Sequence, residues 1–173
     1  MSASAPSPRK FIPVVGITAL IFGILFIVAG ATTWGVVTSQ LKEQQITIPE
    51  DATFLNLGGK EVKGPLSAYA QADIINVHAL EGSDGKTYAE LGAEISQAEE
   101  GSEEQAELQA QRDSVMNASF LRASLFTSIV AYGVSALVIG LGFVLVLTGL
   151  AIRRLALMSD APEAATAERS SAV

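Results

Sequence analysis

Two long apolar segments dominate the pattern of hydrophobic and polar positions along the chain. Residues 11–41 and 123–152 contain no charged side chain. A helix needs about 20 apolar residues to cross the hydrocarbon layer of a bilayer, and each segment is longer than that. The pattern therefore predicts a mainly α membrane protein with transmembrane helices at 11–41 and 123–154. Tails at 1–10 and 155–173 flank them, and we expect the second tail to be disordered.

The first apolar segment has an alternative interpretation as a signal peptide. Arg9 and Lys10 would form the basic end of that peptide, and Ala29-Gly30-Ala31 has the small side chains of a cleavage site. However, the apolar residues continue through Trp34 to Val37. Because this run is longer than the usual apolar part of a signal peptide, it favours an uncleaved anchor.

Basic residues at the ends of the segments indicate the orientation. Arg9 and Lys10 precede the first segment, and Arg153 and Arg154 follow the second; cytoplasmic ends of membrane helices are enriched in such residues. Residues 42–122 carry six Lys or Arg and fifteen Asp or Glu, a net charge of −9. We expect a multi-pass protein of a bacterial plasma membrane, with both termini cytoplasmic and 42–122 forming an extracytoplasmic cap.

Small residues recur every seven positions in both apolar segments. They are Gly16, Gly23 and Gly30 in the first segment, and Ser135, Gly142 and Gly149 in the second. Seven residues make about two helical turns, so each set lies along one side of its helix, where small residues let backbones approach closely. Facing positions in an antiparallel pair have a constant sum, and a sum of 165 pairs all six. A sum of 158 also pairs small residues but misaligns the charged ends. We therefore expect an antiparallel transmembrane hairpin packed along these residues, named here the glycine seam.

The cap begins with a pattern typical of short strands. Residues 45–48 alternate between polar and β-branched side chains, which predicts a strand. Residues 53–57 and 60–63 surround Gly58-Gly59, a pair that favours a two-residue hairpin turn. These segments predict a small α or α+β cap.

Helix signals follow in the rest of the cap. Gly64-Pro65 places proline at a first helical position, and Thr87 with Glu90 forms a capping box. A third helix is expected from about Glu103 through the membrane to Arg154. Stop signals come after it at residues 159–162.

Candidate chemistry is sparse. The chain has no cysteine and one histidine, His78, so a two-histidine iron site and a cysteine zinc site are excluded. No spacing suggests a hydrolase triad around that histidine. We expect no catalytic, metal or cofactor-binding residue and no enzyme activity, and the net charge of −7 argues against nucleic acid as a partner. A surface formed by Tyr69, Ile74 and His78 is the candidate ligand site of the cap.

Four short segments carry a family resemblance: 33–37 (TWGVV), 68–76 (AYAQADIIN), 85–91 (GKTYAEL) and 116–124 (MNASFLRAS). They resemble a family of small actinobacterial membrane proteins, over about 9–154. Members are often labelled automatically as aromatic ring-opening dioxygenases, but the family has no catalytic motif to carry over. The layout is also similar to that of two-span accessory subunits of the actinobacterial cytochrome bcc–aa3 respiratory supercomplex, a resemblance that implies a role in electron transport.

Two functions from different classes fit these observations. The first is a non-catalytic accessory or scaffold subunit, whose partners are larger integral membrane proteins, lipid and an external protein docked on the acidic cap. The acidic side chains that favour such docking are Glu99, Glu100, Glu103, Glu104 and Glu107; a solvated helix start explains the same residues. The alternative is an envelope-facing binding or sensing module with a pocket lined by Tyr69, Ile74 and His78.

Overall fold

The computed structural model describes residues 8–171, and it describes side chains for residues 12–158. The chain is mostly helical. Its elements in order are α1 (Pro8–Glu43), a 3₁₀ turn (Phe54–Asn56), α2 (Pro65–Glu81), α3 (Tyr88–Ile95) and α4 (Glu103–Ser171). No strand is formed within these residues; extended pairing is limited to one antiparallel bridge between Thr47 and Glu61.

The chain divides into two compact units. The terminal unit joins the chain up to Thr33 with the chain from Val134 onwards, and the central unit comprises Trp34–Gly133. Helices α1 and α4 each contribute residues to both units.

Two helical segments, Ile12–Glu43 and Glu103–Met158, are long and apolar enough to cross a membrane. Only 11% of the most apolar 18-residue window of the first segment is buried, and 17% of that of the second. The core helix of a soluble protein would be mostly buried, because its apolar side chains have no other way to leave water. Large side chains such as Ile24, Val28 and Leu147 are instead exposed.

Both long helices extend beyond the predicted boundaries. Helix α1 begins at Pro8 rather than residue 11, and residues 1–7 of the predicted first tail lie outside the described part of the chain. The prediction of a disordered tail at 155–173 is wrong as far as Ser171, because α4 continues through the expected stop signals at 159–162. Alanine and glutamate, both strong helix formers, make up most of residues 161–168, which favours continuation past the proline.

The predicted hairpin of the cap is wrong. Residues 46–48 pair with 60–62: Ile48 N donates to the Lys60 carbonyl oxygen and Val62 N to that of Ile46, each at 2.9 Å. Ile48 and Val62 are 1% and 0% exposed, so this pairing buries two β-branched side chains that the predicted hairpin would have left apart. Residues 53–57, the expected partner strand, instead form the 3₁₀ turn and its flanks.

Helix α2 begins at Pro65, as predicted. The Ser67 hydroxyl accepts hydrogen bonds from the backbone N–H groups of Lys63 and Gly64, each at 3.0 Å, which satisfies two donors at the helix start. Three alanines of the helix, Ala68, Ala70 and Ala72, are fully buried, whereas Leu66 and Tyr69 are exposed. Small side chains allow the neighbouring segments to approach this helix closely. The core that results in the central unit contains Leu41, Ile48, Ala52, Val62, Ala68, Ala70, Ala72, Ile74, Leu125 and Tyr132.

The capping box at the start of α3 is confirmed. The Glu90 carboxylate accepts hydrogen bonds from the Thr87 backbone N–H at 2.8 Å and from the Thr87 hydroxyl at 2.7 Å. These bonds favour the charged carboxylate, so the pKa of Glu90 lies below its ordinary value. Leu91 then buries itself against Leu108 and Val115 of α4.

Acidification is expected to loosen the start of α3. Because the folded pKa of Glu90 is lower than the unfolded one, the stabilisation is complete above the unfolded pKa. It is then lost as the pH falls through the folded pKa. Amide hydrogen exchange of residues 88–95, corrected for intrinsic rates, should show falling protection as the pH drops below the ordinary range of glutamate. Glu90→Gln keeps an acceptor oxygen without titrating and should remove that pH dependence; an identical dependence in the variant would contradict this assignment.

Candidate functional site

The glycine seam brings the backbones of α1 and α4 together in the terminal unit. An ideal Cβ atom built on Gly23 would lie 2.7 Å from the Gly142 carbonyl oxygen, and one built on Gly142 would lie 2.7 Å from that of Gly23. Cβ atoms built on Gly16 and Gly30 would lie 3.1 Å and 2.9 Å from the carbonyl oxygens of Gly149 and Ser135, respectively. These pairs have a constant sum of 165, so α1 and α4 are antiparallel here.

The backbones of α1 and α4 can approach this closely because the side chain of glycine is a single hydrogen atom. At Gly23 the atoms in the way include the backbone nitrogen of Val146 at 2.8 Å as well as the Gly142 oxygen. Backbone atoms of a helix cannot rotate aside as the end of a flexible side chain can. A larger side chain at this point therefore requires the two helices to separate.

A second set of small residues on α4 lies on the opposite side from the seam. It consists of Gly133, Ala136 and Gly140, all exposed, and we name it the open stripe. Gly140 precedes Gly142 by two residues, or about 200° around the helix axis, which places the two on opposite faces. A Cβ atom built on Gly133 or Gly140 would meet nothing within 4 Å in the described part of the chain. Helix α4 thus has two faces with small residues, of which α1 occupies one.

An aromatic pair and a hydrogen bond beside it connect α1 and α4 within the central unit. The rings of Trp34 and Tyr132 meet edge to face, with centroids 4.6 Å apart. The Thr38 hydroxyl donates to the Trp34 carbonyl oxygen at 2.9 Å, so it is left to accept from the Tyr132 hydroxyl at 2.8 Å. Tyr132 is 1% exposed. We did not predict this pair from the sequence, although a tyrosine inside a charge-free segment needs a partner for its hydroxyl.

The candidate ligand surface of the cap is not assembled as one pocket. Tyr69 and His78 are nine residues apart on α2 and lie on opposite faces of that helix. The Tyr69 ring packs against the rings of Phe54 and Phe126, with centroids 4.7 Å and 6.2 Å apart, and Ile74 is buried in the core. Tyr69 and His78 therefore lie in different surroundings, and the structure does not bring all three side chains around one space.

His78 instead pairs with an acid from the segment before the 3₁₀ turn. Its Nε2 atom donates to Oδ2 of Asp51 at 2.7 Å, and both side chains are exposed. This hydrogen bond holds the pKa of Asp51 below its ordinary value. Elsewhere in the central unit, Arg122 Nε donates to the Ala72 carbonyl oxygen at 3.1 Å and connects α4 to α2.

The remaining candidate residues lie on the surface or outside the described side chains. Arg153 and Arg154 are exposed on α4, and the five glutamates from Glu99 to Glu107 are all exposed. Arg9 and Lys10 belong to α1, but their side chains lie outside the described residues. Among the described residues, no group of three or more His, Asp or Glu side chains is arranged to hold a metal ion.

No family model, curated protein or solved structure matches the chain. The function is therefore inferred from the sequence of the chain and from the contacts of its own residues.

Proposed function

We propose that the chain is a non-catalytic accessory or scaffold subunit of a bacterial plasma-membrane complex. The observation that carries the proposal is the pair of opposed small-residue faces on α4. One face packs against α1, and the other, the open stripe, is lined by residues whose added Cβ would meet open space. In lipid, where no hydrophobic force drives helices together, small residues provide the close contact on which association depends. A helix of a larger integral membrane protein would fit that face.

In this proposal, α1 and α4 form a transmembrane hairpin with both termini in the cytoplasm. Residues on both sides of the candidate cleavage site contact α4: Gly30 approaches Ser135, and Trp34 packs on Tyr132. Cleavage at that site would remove Gly30 and its contact with Ser135, and it would cut α1 a few residues before the contact of Trp34 with Tyr132. Contacts on both sides therefore support an uncleaved anchor. The exposed Arg153 and Arg154 suit a cytoplasmic end.

The cap then lies outside the cell, where its exposed glutamates would face an external partner with a basic surface. The most concrete complex is the actinobacterial respiratory supercomplex, with the chain as a member of the small actinobacterial membrane-protein family. This assignment rests on the resemblance of four sequence segments and on the two-span layout.

Tagged protein expressed at native level should co-purify with integral membrane proteins in mild detergent, as identified by mass spectrometry. Gly140→Leu places a large side chain in the open stripe and should reduce the recovery of these partners about tenfold or more. Leu141→Phe enlarges an exposed side chain next to the stripe and serves as the control. For a respiratory partner, the eluate should also show haem absorbance.

Purification of the unmodified chain without any partner would overturn the proposal. Equal recovery with Gly140→Leu would overturn the role of the open stripe. Partners that lack haem absorbance would exclude the respiratory complex while leaving the accessory role in place.

A further inference from the structure

Two exposed leucines of the central unit lie close to the point where the charge-free part of α4 begins. Leu55, in the 3₁₀ turn, is 60% exposed, and Leu66, in the first turn of α2, is 59% exposed. Tyr69 follows Leu66 by three residues, so the two lie on the same side of α2. The Tyr69 ring packs on that of Phe54, with centroids 4.7 Å apart. This contact brings the 3₁₀ turn to the start of α2, and we name the surface of Leu55, Leu66 and Tyr69 the cap edge.

Two contacts show how α2 runs beside α4. The Tyr69 ring meets that of Phe126, with centroids 6.2 Å apart, and the Ala72 carbonyl oxygen accepts from Arg122 Nε at 3.1 Å. Residue numbers therefore rise along α2 while they fall along α4, so the two helices are antiparallel here. Leu66 lies about one turn before Tyr69, which brings it level with about residue 129 of α4. Because the charge-free segment begins at residue 123, the cap edge lies beside the predicted second transmembrane helix rather than beyond its end.

The distribution of charge in the cap follows the same direction. Residues 52–59 and 64–72, which form the cap edge, contain no ionisable side chain except that of Tyr69. Asp73, His78 and Glu81 all belong to the other half of α2, which leads away from the charge-free part of α4. Charged side chains are costly in hydrocarbon, whereas leucine and tyrosine are favoured at or near its boundary. This division fits a cap with one end in lipid and the other in water.

The backbone of Leu55 gives a further reason to expect a contact at this edge. Its φ angle is 50°, in the left-handed region, which costs free energy for leucine but not for glycine. Such strain persists only where other interactions hold the residue in place. Most of the Leu55 side chain is exposed, so its burial within the described part of the chain does not offset the strain. Contact with lipid would take this side chain out of water.

We propose that the cap edge is seated in the bilayer, in the leaflet on the side of the membrane where the cap lies. Leu55 and Leu66 insert at the boundary between headgroups and hydrocarbon, and Tyr69 lies beside them at the level of Phe126. The partner of this surface is lipid. The inference rests on the membrane location that is part of the proposed function, but it depends neither on a protein partner nor on which side of the membrane the cap occupies.

Spin labels on single cysteines can test this contact, because the natural chain has no cysteine. Full-length Leu55→Cys and Leu66→Cys would each be labelled with a nitroxide and placed in lipid nanodiscs. Electron paramagnetic resonance then measures collisions with oxygen and with a neutral, polar nickel complex. We expect the ratio of oxygen to nickel collisions to be about fivefold or more above that at Gln97→Cys, because hydrocarbon takes up apolar oxygen and excludes the polar complex. Gln97 is exposed in the loop after α3 and reports water.

A label at Leu147→Cys separates failure of this inference from failure of the membrane location. Leu147 is 66% exposed in the predicted second transmembrane helix and should report hydrocarbon. If Leu147 does so while Leu55 or Leu66 collides with nickel as Gln97 does, the cap edge is in water and this inference alone is overturned. Few collisions with both reagents at the cap edge would mean that protein, such as a second copy of the chain, covers it, which also overturns the inference. Frequent nickel collisions at Leu147 would overturn the membrane location together with it.

Discussion

Leucine in place of Gly23 is expected to force α1 and α4 apart and to destabilise their packing by about 3 kcal/mol. The first added carbon would already lie 2.7 Å from the Gly142 carbonyl oxygen and 2.8 Å from the backbone nitrogen of Val146. Both atoms belong to the α4 backbone, so side-chain rotation cannot relieve the overlap. The helices must therefore separate, and the dispersion contacts that hold antiparallel helices together in lipid are lost.

Unfolding in detergent with increasing SDS, followed by the fluorescence of Trp34, measures this effect. Trp34 is the single tryptophan of the chain, and its ring contacts Tyr132 of α4, so its emission reports whether the two helices remain together. Gly140→Leu is the matched control, because it makes the same substitution where a Cβ atom has open space. We expect it to unfold close to the wild-type midpoint. Equal shifts for both variants would show that the loss reflects leucine on a membrane helix rather than a collision with Gly142.

Local patterns in the sequence identify the helices well, because their causes lie within a few residues. The charge-free segments 11–41 and 123–152 each lie within one continuous helix. No contact with a distant segment is needed to predict them. The same holds for the helix start at Pro65 and the capping box at Thr87, where donor and acceptor are three residues apart. The end of α4 is the exception, since favourable composition after residue 160 outweighs a proline that usually stops a helix.

Contacts between distant segments could not be predicted in this way. The chain does turn at Gly58-Gly59. However, residues 60–62 pair with residues 46–48 rather than with residues 53–57, which are nearest in sequence. The choice depends on which side chains the whole core can bury. A cavity lined by residues of α1, α2 and α4 could not be predicted either, because its lining comes from segments that are distant in sequence. Tyr69 and His78 were placed together as neighbours on one helix, where helical geometry sets them on opposite faces.

Removal of the Tyr132 side chain by alanine is expected to destabilise the central unit by about 3–4 kcal/mol. Tyr132 is 1% exposed, packs edge to face on Trp34, and belongs to the same core cluster as Leu41 and Leu125. Alanine would leave a cavity in that cluster and remove the aromatic contact, which itself contributes about 0.5–1.5 kcal/mol. Chemical unfolding in detergent should show the loss, and the Trp34 emission of the folded variant should shift to the red.

The hydroxyl and the ring of Tyr132 can be separated by a smaller change. Tyr132→Phe keeps the ring but removes the donor to Thr38, whose hydroxyl still donates to the Trp34 carbonyl oxygen. We expect a loss of about 1 kcal/mol, because one hydrogen bond is removed and one acceptor is left unpaired. A double-mutant cycle with Thr38→Val isolates the pair: after Thr38→Val, Tyr132→Phe should cost clearly less. Independent, additive losses would mean that Tyr132 stabilises this unit through its ring alone. Since Thr38 and Tyr132 lie on different long helices, a coupling would show that α1 and α4 are joined by a specific polar contact in addition to close packing of small residues.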